Sequence, residues 1–258
     1  MSQKSSFKNE SSLAWWFCMQ SKDKPPTIIL LGNSFANQLY PGFARNEKLR
    51  SQTILSIGTC AIGYNGEDDA PGSPCYGKKS EDQAKFLDET IASNPTIKFA
   101  VLDGFVMKPT SAYIERVIAR IKYLEEKQIK VVIFTPHIRP GFDPKACFRS
   151  PLRQQPKDCV ISPEVRNTLS RDFDPLLLSI KKELPGVLFF DQNDVFCDRP
   201  DGKCSFVKNG MPLHRDEVHI SEYASILIQD YFTQWASMNL PTILDRDKQT
   251  GLPSAPAK

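Results

Sequence analysis

The chain alternates short apolar segments with longer segments of helical hydrophobic spacing, and this alternation predicts an α/β fold. The first apolar segment, residues 27–31, is apolar after its leading threonine, as expected for a parallel strand that is buried on both faces. A helix that connects two parallel strands crosses over with right-handed geometry and covers one face of the sheet. We therefore expect a three-layer α/β/α fold around a five-stranded parallel sheet.

Each element follows from its own pattern. The strands are predicted at five segments rich in aliphatic and β-branched residues, namely 27–31, 53–57, 97–102, 131–135 and 186–190. The helices are predicted where apolar residues recur at helical spacing, over residues 36–46, 80–93, 110–127, 163–183 and 221–238. Ser80 is the expected N-cap of the second helix. Two stretches rich in turn residues, 58–79 and 136–161, predict irregular excursions from the sheet.

The length and charge of the chain limit its class. At 258 residues it fits one large α/β domain, which we expect over residues 25–240, with an N-terminal connector over 1–24 and a loose tail over 241–258. Residues 1–10 lack the apolar core of a secretion signal, so the chain is either cytosolic or a soluble piece of a larger exported protein. A net charge of +3, without a dense run of Lys and Arg, argues against nucleic acid as a partner.

The cysteines favour the exported alternative. Six of the seven fall into near pairs around loops with turn residues, which predicts the disulfides Cys60–Cys75, Cys147–Cys159 and Cys197–Cys204. Cys18 is left over, either free or as an alternative partner. The sequence has no Cys-x-x-Cys spacing of the zinc-binding kind. The alternative is a set of reduced, scattered cysteines in a cytosolic enzyme.

Four candidate residues follow predicted strands, at the edge where ligands bind in a parallel sheet. Ser34, Gly58, Asp103 and His137 all have this position. Ser34 follows the first strand on a tight turn, and it is either a nucleophile or a simple cap of the next helix.

A second segment supplies the groups that a serine nucleophile needs. Asp216 stands three residues before His219 in Asp216-Glu217-Val218-His219, a spacing that lets the carboxylate fold back to hold the imidazole. We therefore predict Ser34 as nucleophile, His219 as general base and Asp216 as its orienting acid. The other two histidines are weaker candidates: His137 lacks a nearby acid and is structural or substrate-lining, and His214 lies on the approach to the loop.

These segments carry a family resemblance. Gly32-Asn33-Ser34 resembles the first motif of the SGNH (GDSL-like) hydrolases and acyltransferases, and Asp216-x-x-His219 resembles their last motif. Cys60, and Cys197 with Cys204, make the chain most similar to the extracytoplasmic SGNH domains fused to acyltransferase-3 membrane proteins, which O-acetylate bacterial surface polysaccharides such as O-antigen.

The resemblance implies a flavodoxin-like sheet and acetyl transfer through an acetyl-serine, without a metal or cofactor. It also implies an acyltransferase-3 membrane domain as the acetyl donor, a polysaccharide acceptor and a periplasmic location tethered to the inner membrane. Two alternatives remain: a secreted carbohydrate acetyl-esterase and a non-catalytic glycan-binding domain of the same fold.

The chain also departs from the family pattern. Asn33 replaces the usual Asp, and the third motif, Gly-x-Asn-Asp, is missing where the third strand ends in Leu102-Asp103-Gly104-Phe105. The backbone N–H groups of Ser34 and Gly58 are therefore the expected oxyanion hole, with Asn33, Asp103 and His137 as possible substrate-lining residues. Five arginines either line a groove for an anionic glycan or are solvated surface charges: Arg45, Arg50, Arg139, Arg149 and Arg153.

Overall fold

A mostly parallel sheet with helices on both faces organises the protein, which confirms the predicted α/β/α fold. The computed structural model describes residues 17–58, 60–66, 71–150, 155–198 and 201–245. The strands are β1 Phe17–Gln20, β2 Ile28–Leu31, β3 Ile54–Gly58, β4 Phe99–Leu102, β5 Lys130–Phe134, β6 Val160–Ile161, β7 Leu188–Phe190, β8 Cys204–Ser205, β9 Val207–Lys208 and β10 Met211–Pro212. The α-helices are α1 Ser34–Asn37, α2 Tyr40–Arg45, α3 Lys78–Ser93, α4 Ser111–Glu126, α5 Pro163–Glu183 and α6 Glu222–Asn239.

The central sheet has the order β1-β3-β2-β4-β5-β7. Its last five strands are parallel and correspond to the five predicted strands. The prediction of five strands is nevertheless one too few. β1, which we expected within the connector, pairs antiparallel with β3 and places Phe17 opposite Gly58. β1 is short and half exposed, so its four residues alone have neither the length nor the periodicity by which a strand is predicted.

Alternate side chains of the strands enter two separate cores, which explains why β2 is apolar throughout. Ile28 and Leu30 pack on the side of α2 and α6, where Phe43 and Phe232 complete the core. Ile29 and Leu31 join the core on the opposite face, which contains buried residues of α3, α4 and α5. β2 is therefore buried on both faces, as a central parallel strand should be.

Two helix starts differ from the predictions. The single helix predicted over 36–46 is divided into α1 and α2, and Pro41 stands in the first turn of α2. Because proline lacks an N–H and its ring clashes with the preceding turn, it starts a new helix more readily than it continues one. The N-cap of α3 is Gly77 and not Ser80, whose buried hydroxyl donates a hydrogen bond to the Gly77 carbonyl.

The structure joins the three near pairs of cysteines as disulfides, Cys60–Cys75, Cys147–Cys159 and Cys197–Cys204. Cys18 is free and half-buried in β1. After α6, a 3-10 helix at Pro241–Ile243 leads to Asp245, whose carboxylate accepts a hydrogen bond from the Ser51 N–H, so the start of the predicted tail packs on the domain. Residues 1–16 of the predicted connector and residues 246–258 of the predicted tail lie outside the described residues. Among the described helices, none is both long and apolar enough to cross a membrane.

Candidate active site

Ser34 lies on a tight turn between β2 and α1. Gly32 takes a φ of +147°, and a side chain there would meet the Asp103 carbonyl oxygen at 2.0 Å, so only glycine fits. Asn33 caps α1, because its side-chain oxygen accepts a hydrogen bond from the Phe35 N–H at 3.0 Å. Ser34 follows as the first helical residue, and it is exposed to solvent.

The structure brings Ser34, His219 and Asp216 together although 185 positions separate the serine from the histidine. The Ser34 Oγ lies 2.8 Å from Nε2 of His219. Nδ1 of His219 lies 2.9 Å from Oδ2 and 3.0 Å from Oδ1 of Asp216. Because the carboxylate can only accept, Nδ1 carries the proton, and Nε2 is left to accept the hydrogen bond of the Ser34 hydroxyl. These three groups have the geometry of a nucleophile, its base and an orienting acid.

Backbone contacts hold Asp216 in this position. Its Oδ1 accepts hydrogen bonds from the N–H groups of Val218 at 3.0 Å and His219 at 2.7 Å. Burial by itself would raise the pKa of Asp216, but these hydrogen bonds and the His219 imidazole outweigh it and lower the pKa to about 2. Arg215 lies 3.6 Å from Oδ2 as a further cation. The carboxylate is therefore ionised at neutral pH.

The loop that carries the base is fastened to the turn that carries the serine. The Ile220 N–H donates a hydrogen bond of 2.8 Å to the side-chain oxygen of Gln38, directly after α1. Ser221 then caps α6 by accepting from the Ala224 N–H. The Phe35 ring packs beside the His219 imidazole with a centroid separation of 5.4 Å. These contacts fix the distance between Ser34 and His219 without help from a ligand.

Asn33 supports the turn more than it lines the site. Its Nδ2 donates to the Gly104 carbonyl at 3.1 Å while its Oδ1 caps α1, so both ends of the amide are bonded to backbone. Gly104 has a φ of +82°, and a side chain at that position would meet the Asn33 oxygen at 2.0 Å. The segment after β4 therefore packs directly against the serine turn.

Asp103 does not line the surface, which corrects the prediction. It is 1% exposed, and its carboxylate accepts from the Gly104 N–H at 2.6 Å and from Nε2 of Gln192 at 2.8 Å. Burial raises its pKa to about 7 against the effect of those hydrogen bonds. The residue lies beneath the serine turn, because the Asp103 carbonyl faces Gly32.

His137 is likewise buried, which corrects the prediction that it lines the substrate site. It is 2% exposed, its Nε2 donates to the Val218 carbonyl at 2.9 Å, and burial lowers its pKa to about 3. His214 is fully buried, donates from Nε2 to the Ile138 carbonyl at 3.0 Å, and has a pKa lowered by burial to about 4. Both imidazoles are neutral packing groups that fasten the loop after β5 to the loop of the base.

Gly58 ends β3 beside the serine turn. Its φ is +125°, and a side chain there would meet the Gly32 carbonyl at 2.5 Å. The Gly58 carbonyl accepts from Nδ2 of Asn37, whose Oδ1 accepts from the Ser56 hydroxyl. Gly58 and Ser34 thus lie at the same edge, and their N–H groups as oxyanion donors stay a prediction.

Three residues near the site were not found by sequence reasoning, namely Phe35, Gln38 and Gln192, and Arg139 was named only as one of five candidates for a glycan groove. Phe35 and Gln38 flank the turn, and only their position close to Ser34 could have drawn attention to them. Nothing in the sequence indicates that Gln192, in a 3-10 helix after β7, reaches the carboxylate of Asp103. Within the described ranges, no group of three or more His, Cys, Asp and Glu side chains is arranged to hold a metal ion.

Comparisons with known proteins identify the family of the chain and a shared fold. The family described as "SGNH domain (fused to AT3 domains)" matches residues 4–234. The periplasmic domain of a lipopolysaccharide acetyltransferase from Salmonella ser. Paratyphi A is similar in structure, with 13% identity, a TM-score of 0.62, and coverage of 84% of this chain and 85% of that one.

A GDSL-like lipase from Bacteroides thetaiotaomicron is a weaker match, with 12% identity, a TM-score of 0.47, and coverage of 85% of this chain and 91% of that one. No curated protein sequence matches the chain significantly. Because the family match spans nearly the whole length, the chain belongs to the family of SGNH domains that are fused to AT3 domains.

Proposed function

We propose that this chain is a serine-dependent O-acetyltransferase domain that transfers an acetyl group, through an ester on Ser34, to a hydroxyl of a bacterial surface polysaccharide of the O-antigen type. The hydrogen-bonded series Ser34–His219–Asp216 is the observation that carries the proposal. The choice of acetyl group and glycan is supported by the family and by the fold shared with the lipopolysaccharide acetyltransferase domain.

In the first half-reaction, Ser34 Oγ attacks the carbonyl carbon of the acetyl donor while His219 Nε2 takes the hydroxyl proton. The bond between the acetyl carbon and the donor breaks, and the protonated His219 returns the proton to the leaving group. Asp216 stabilises the imidazolium and keeps Nδ1 as the donor, as its contact with that nitrogen permits. The N–H groups of Ser34 and Gly58 stabilise the negative oxygen of the tetrahedral intermediate.

In the second half-reaction, His219 removes the proton from a sugar hydroxyl, whose oxygen attacks the acetyl-serine. The ester bond to Ser34 breaks, Ser34 recovers its proton from His219, and the sugar leaves O-acetylated. Because Ser34 is exposed, water can also reach the ester, so the isolated chain should show weak acetyl-esterase activity. Preference for water over sugar would make the protein a carbohydrate acetyl-esterase instead.

The acetyl donor is best explained by a membrane partner. The family joins such domains to AT3 domains, which fits an acyltransferase-3 membrane domain that delivers the acetyl group. Three disulfides fit an oxidising, extracytoplasmic compartment. We therefore place the domain in the periplasm, tethered to the inner membrane through its partner.

Mass spectrometry of the intact chain after incubation with 4-nitrophenyl acetate tests the proposal. The chain should gain one acetyl group, which peptide mapping should locate on Ser34, and Ser34→Ala and His219→Ala should gain none there. Ser237→Ala is a matched control, because Ser237 is exposed on α6 and its hydroxyl donates to the Gln234 carbonyl of the same helix. Unchanged acetylation in Ser34→Ala would refute the catalytic assignment and leave the glycan-binding alternative.

A further inference from the structure

Arg139 differs from the other four arginines that were predicted as candidates for an anionic-glycan groove. Arg45 forms an ion pair with Glu222, and Arg50 pairs with Glu47 at 3.8 Å while its side chain is 82% exposed. Arg149 is exposed, and Arg153 lies outside the described residues. Arg139 is half-buried and lies beside the candidate active site.

Phe35 connects Arg139 to the triad. The guanidinium carbon of Arg139 lies 4.4 Å from the centroid of the Phe35 ring, and the same ring lies 5.4 Å from the His219 imidazole. The guanidinium and the imidazole thus both pack against the ring of Phe35, which directly follows Ser34 in the sequence. A cation over an aromatic face is held in place without neutralisation of its charge.

The charge of Arg139 has no close counter-ion. Among the residues that the structure describes, no carboxylate lies within ion-pair distance of its guanidinium. The acid whose charge acts on Arg139 is Asp103, which is buried and already accepts hydrogen bonds from Gly104 and Gln192. Nη1 contacts only the Met107 sulfur at 3.7 Å, a weak acceptor on a side chain that is 42% exposed, and Nε is buried without a partner.

The backbone around Arg139 is firmly positioned. The Ile138 N–H donates to Oδ1 of Asn193 at 2.7 Å, and the Ile138 carbonyl accepts from His214 at 3.0 Å. His137 is bonded in turn to the loop of the base at Val218. A guanidinium group that is held in a fixed place and has unused N–H donors has the properties of a binding site for a carboxylate or phosphate.

We propose that Arg139 forms an anion subsite, whose guanidinium binds a carboxylate or phosphate on the acceptor glycan while a neighbouring hydroxyl of that glycan approaches acetyl-Ser34. The inference rests on the proposed function and specifies its substrate class: the acceptor is an acidic glycan. The position of Arg139 next to Phe35 accounts for selection of the acceptor, because the charge lies beside the reacting atoms and not among them.

Binding of small sugars tests the subsite without dependence on turnover. We suggest NMR titrations of the ¹⁵N-labelled chain with methyl glucuronide, methyl glucoside 6-phosphate and neutral methyl glucoside. The native chain should bind at least one of the anionic sugars about tenfold or more tightly than the neutral one, with shifts at the Phe35 amide. Arg139→Gln should abolish that difference. Arg139→Lys should retain part of it, since lysine keeps the charge but lacks the paired N–H donors of the planar guanidinium.

Arg50→Gln is the matched control, because Arg50 is an exposed arginine that precedes the N-terminal end of β3, whereas Ser34 follows the C-terminal end of the parallel strand β2. It should keep the full difference in affinity. A preference for the uronide indicates a glycan with acidic sugars, and a preference for the phosphate indicates a phosphorylated glycan; either result supports the subsite. Equal affinities for all three sugars, or a difference that survives Arg139→Gln in a chain with a native NMR spectrum, would overturn it.

Acetylation of Ser34 by 4-nitrophenyl acetate separates this inference from the proposed function, because that small neutral ester carries no anionic group. A chain that acetylates Ser34 but shows no preference for anionic sugars retains the function and loses the subsite. A chain that prefers anionic sugars without acetylation of Ser34 is an acidic-glycan-binding domain.

Discussion

The side-chain amide of Asn33 donates a hydrogen bond to the Gly104 carbonyl, and this bond joins two departures from the family pattern. The usual first motif has Asp at the position of Asn33, and the usual third motif has an asparagine that is missing around Gly104. An aspartate at position 33 would face the Gly104 carbonyl with a second acceptor. Asn33 therefore supplies a donor that an aspartate at this position would lack.

This relationship predicts that restoring the family residue is harmful. Asn33→Asp keeps an acceptor for the Phe35 N–H but loses the donor to Gly104 and brings two oxygens together. We expect a decrease of about 1–3 kcal/mol in the free energy of unfolding, measured by urea denaturation at neutral pH. Asn167→Asp, at an exposed residue of α5, should change it by less than about 0.5 kcal/mol. Equal stability of Asn33→Asp and the native chain would contradict this account.

Asp216→Asn should reverse the tautomer of His219. The N–H groups of Val218 and His219 both require the oxygen of residue 216, so the new Nδ2 must take the position of Oδ2 and face the imidazole. Nδ1 then becomes an acceptor, Nε2 carries the proton, and the Ser34 hydroxyl loses its base. We expect kcat for 4-nitrophenyl acetate to fall by about 10³–10⁴-fold with an unchanged circular dichroism spectrum.

The matched control for that substitution is Asp198→Asn, because the Asp198 carboxylate accepts hydrogen bonds from Lys208 and Tyr231, neither of which contacts the triad. Its kcat should stay near the native value. Retention of more than a tenth of the native kcat by Asp216→Asn would show that the carboxylate does not orient the base.

The sequence was informative where chemistry constrains neighbours along the chain. Asp216 and His219 are three residues apart, and Ser34 directly follows a buried strand, so their types and spacing could be read without a structure. The same reasoning misplaced Asp103 and His137. A position after a strand indicates the edge of the sheet, but it does not tell whether the side chain faces solvent or lies beneath the next turn.

Other features depend on contacts between distant segments, which a single sequence does not record. β1 pairs with β3 across more than 30 positions, and its four residues have no pattern of their own. The place of Arg139 over Phe35 depends on how the loop after β5 is bonded to Asn193 and His214. Of five candidate arginines, only the folded chain distinguishes the one beside the site.

The buried histidines predict loss of stability in mild acid. The pKa values of His137 and His214, about 3 and about 4 when folded, lie below the ordinary value of 6.5, so between these values the unfolded chain binds two protons that the native chain does not. Asp103, with a folded pKa of about 7, binds one proton in the native state over most of that pH range. This proton offsets one of the two that the histidines bind only in the unfolded state. As the pH is lowered from about 6 to 4, the free energy of unfolding should therefore fall by roughly 1 kcal/mol per pH unit.

Two variants should change that slope in opposite directions. His214→Gln keeps a donor for the Ile138 carbonyl but removes one titrating group, so the slope should become shallower. Asp103→Asn removes the opposing proton, so the slope should become steeper. Urea denaturation at several pH values measures both slopes, and equal slopes in all three proteins would show that these groups titrate alike in the folded and unfolded states.

The Cys197–Cys204 disulfide should stabilise the support of the site. It joins the end of the 3-10 helix Gln192–Val195, which carries Gln192 and Asn193, to the buried Cys204 of β8. Gln192 donates to Asp103 beneath the serine turn, and Asn193 accepts from Ile138 beside Arg139.

Replacement of both Cys197 and Cys204 by alanine should lower the free energy of unfolding by about 2–3 kcal/mol, because the unfolded chain regains the entropy of a short loop. The same variant should acetylate Ser34 more slowly, since the segment beneath the turn loses its anchor. Cys18→Ala, at the free cysteine of the edge strand, should cost less than about 1 kcal/mol and leave the acetylation rate near the native value. Non-reducing peptide mapping establishes the pairing first; a double variant as stable as Cys18→Ala would mean that the bridge does not constrain the chain.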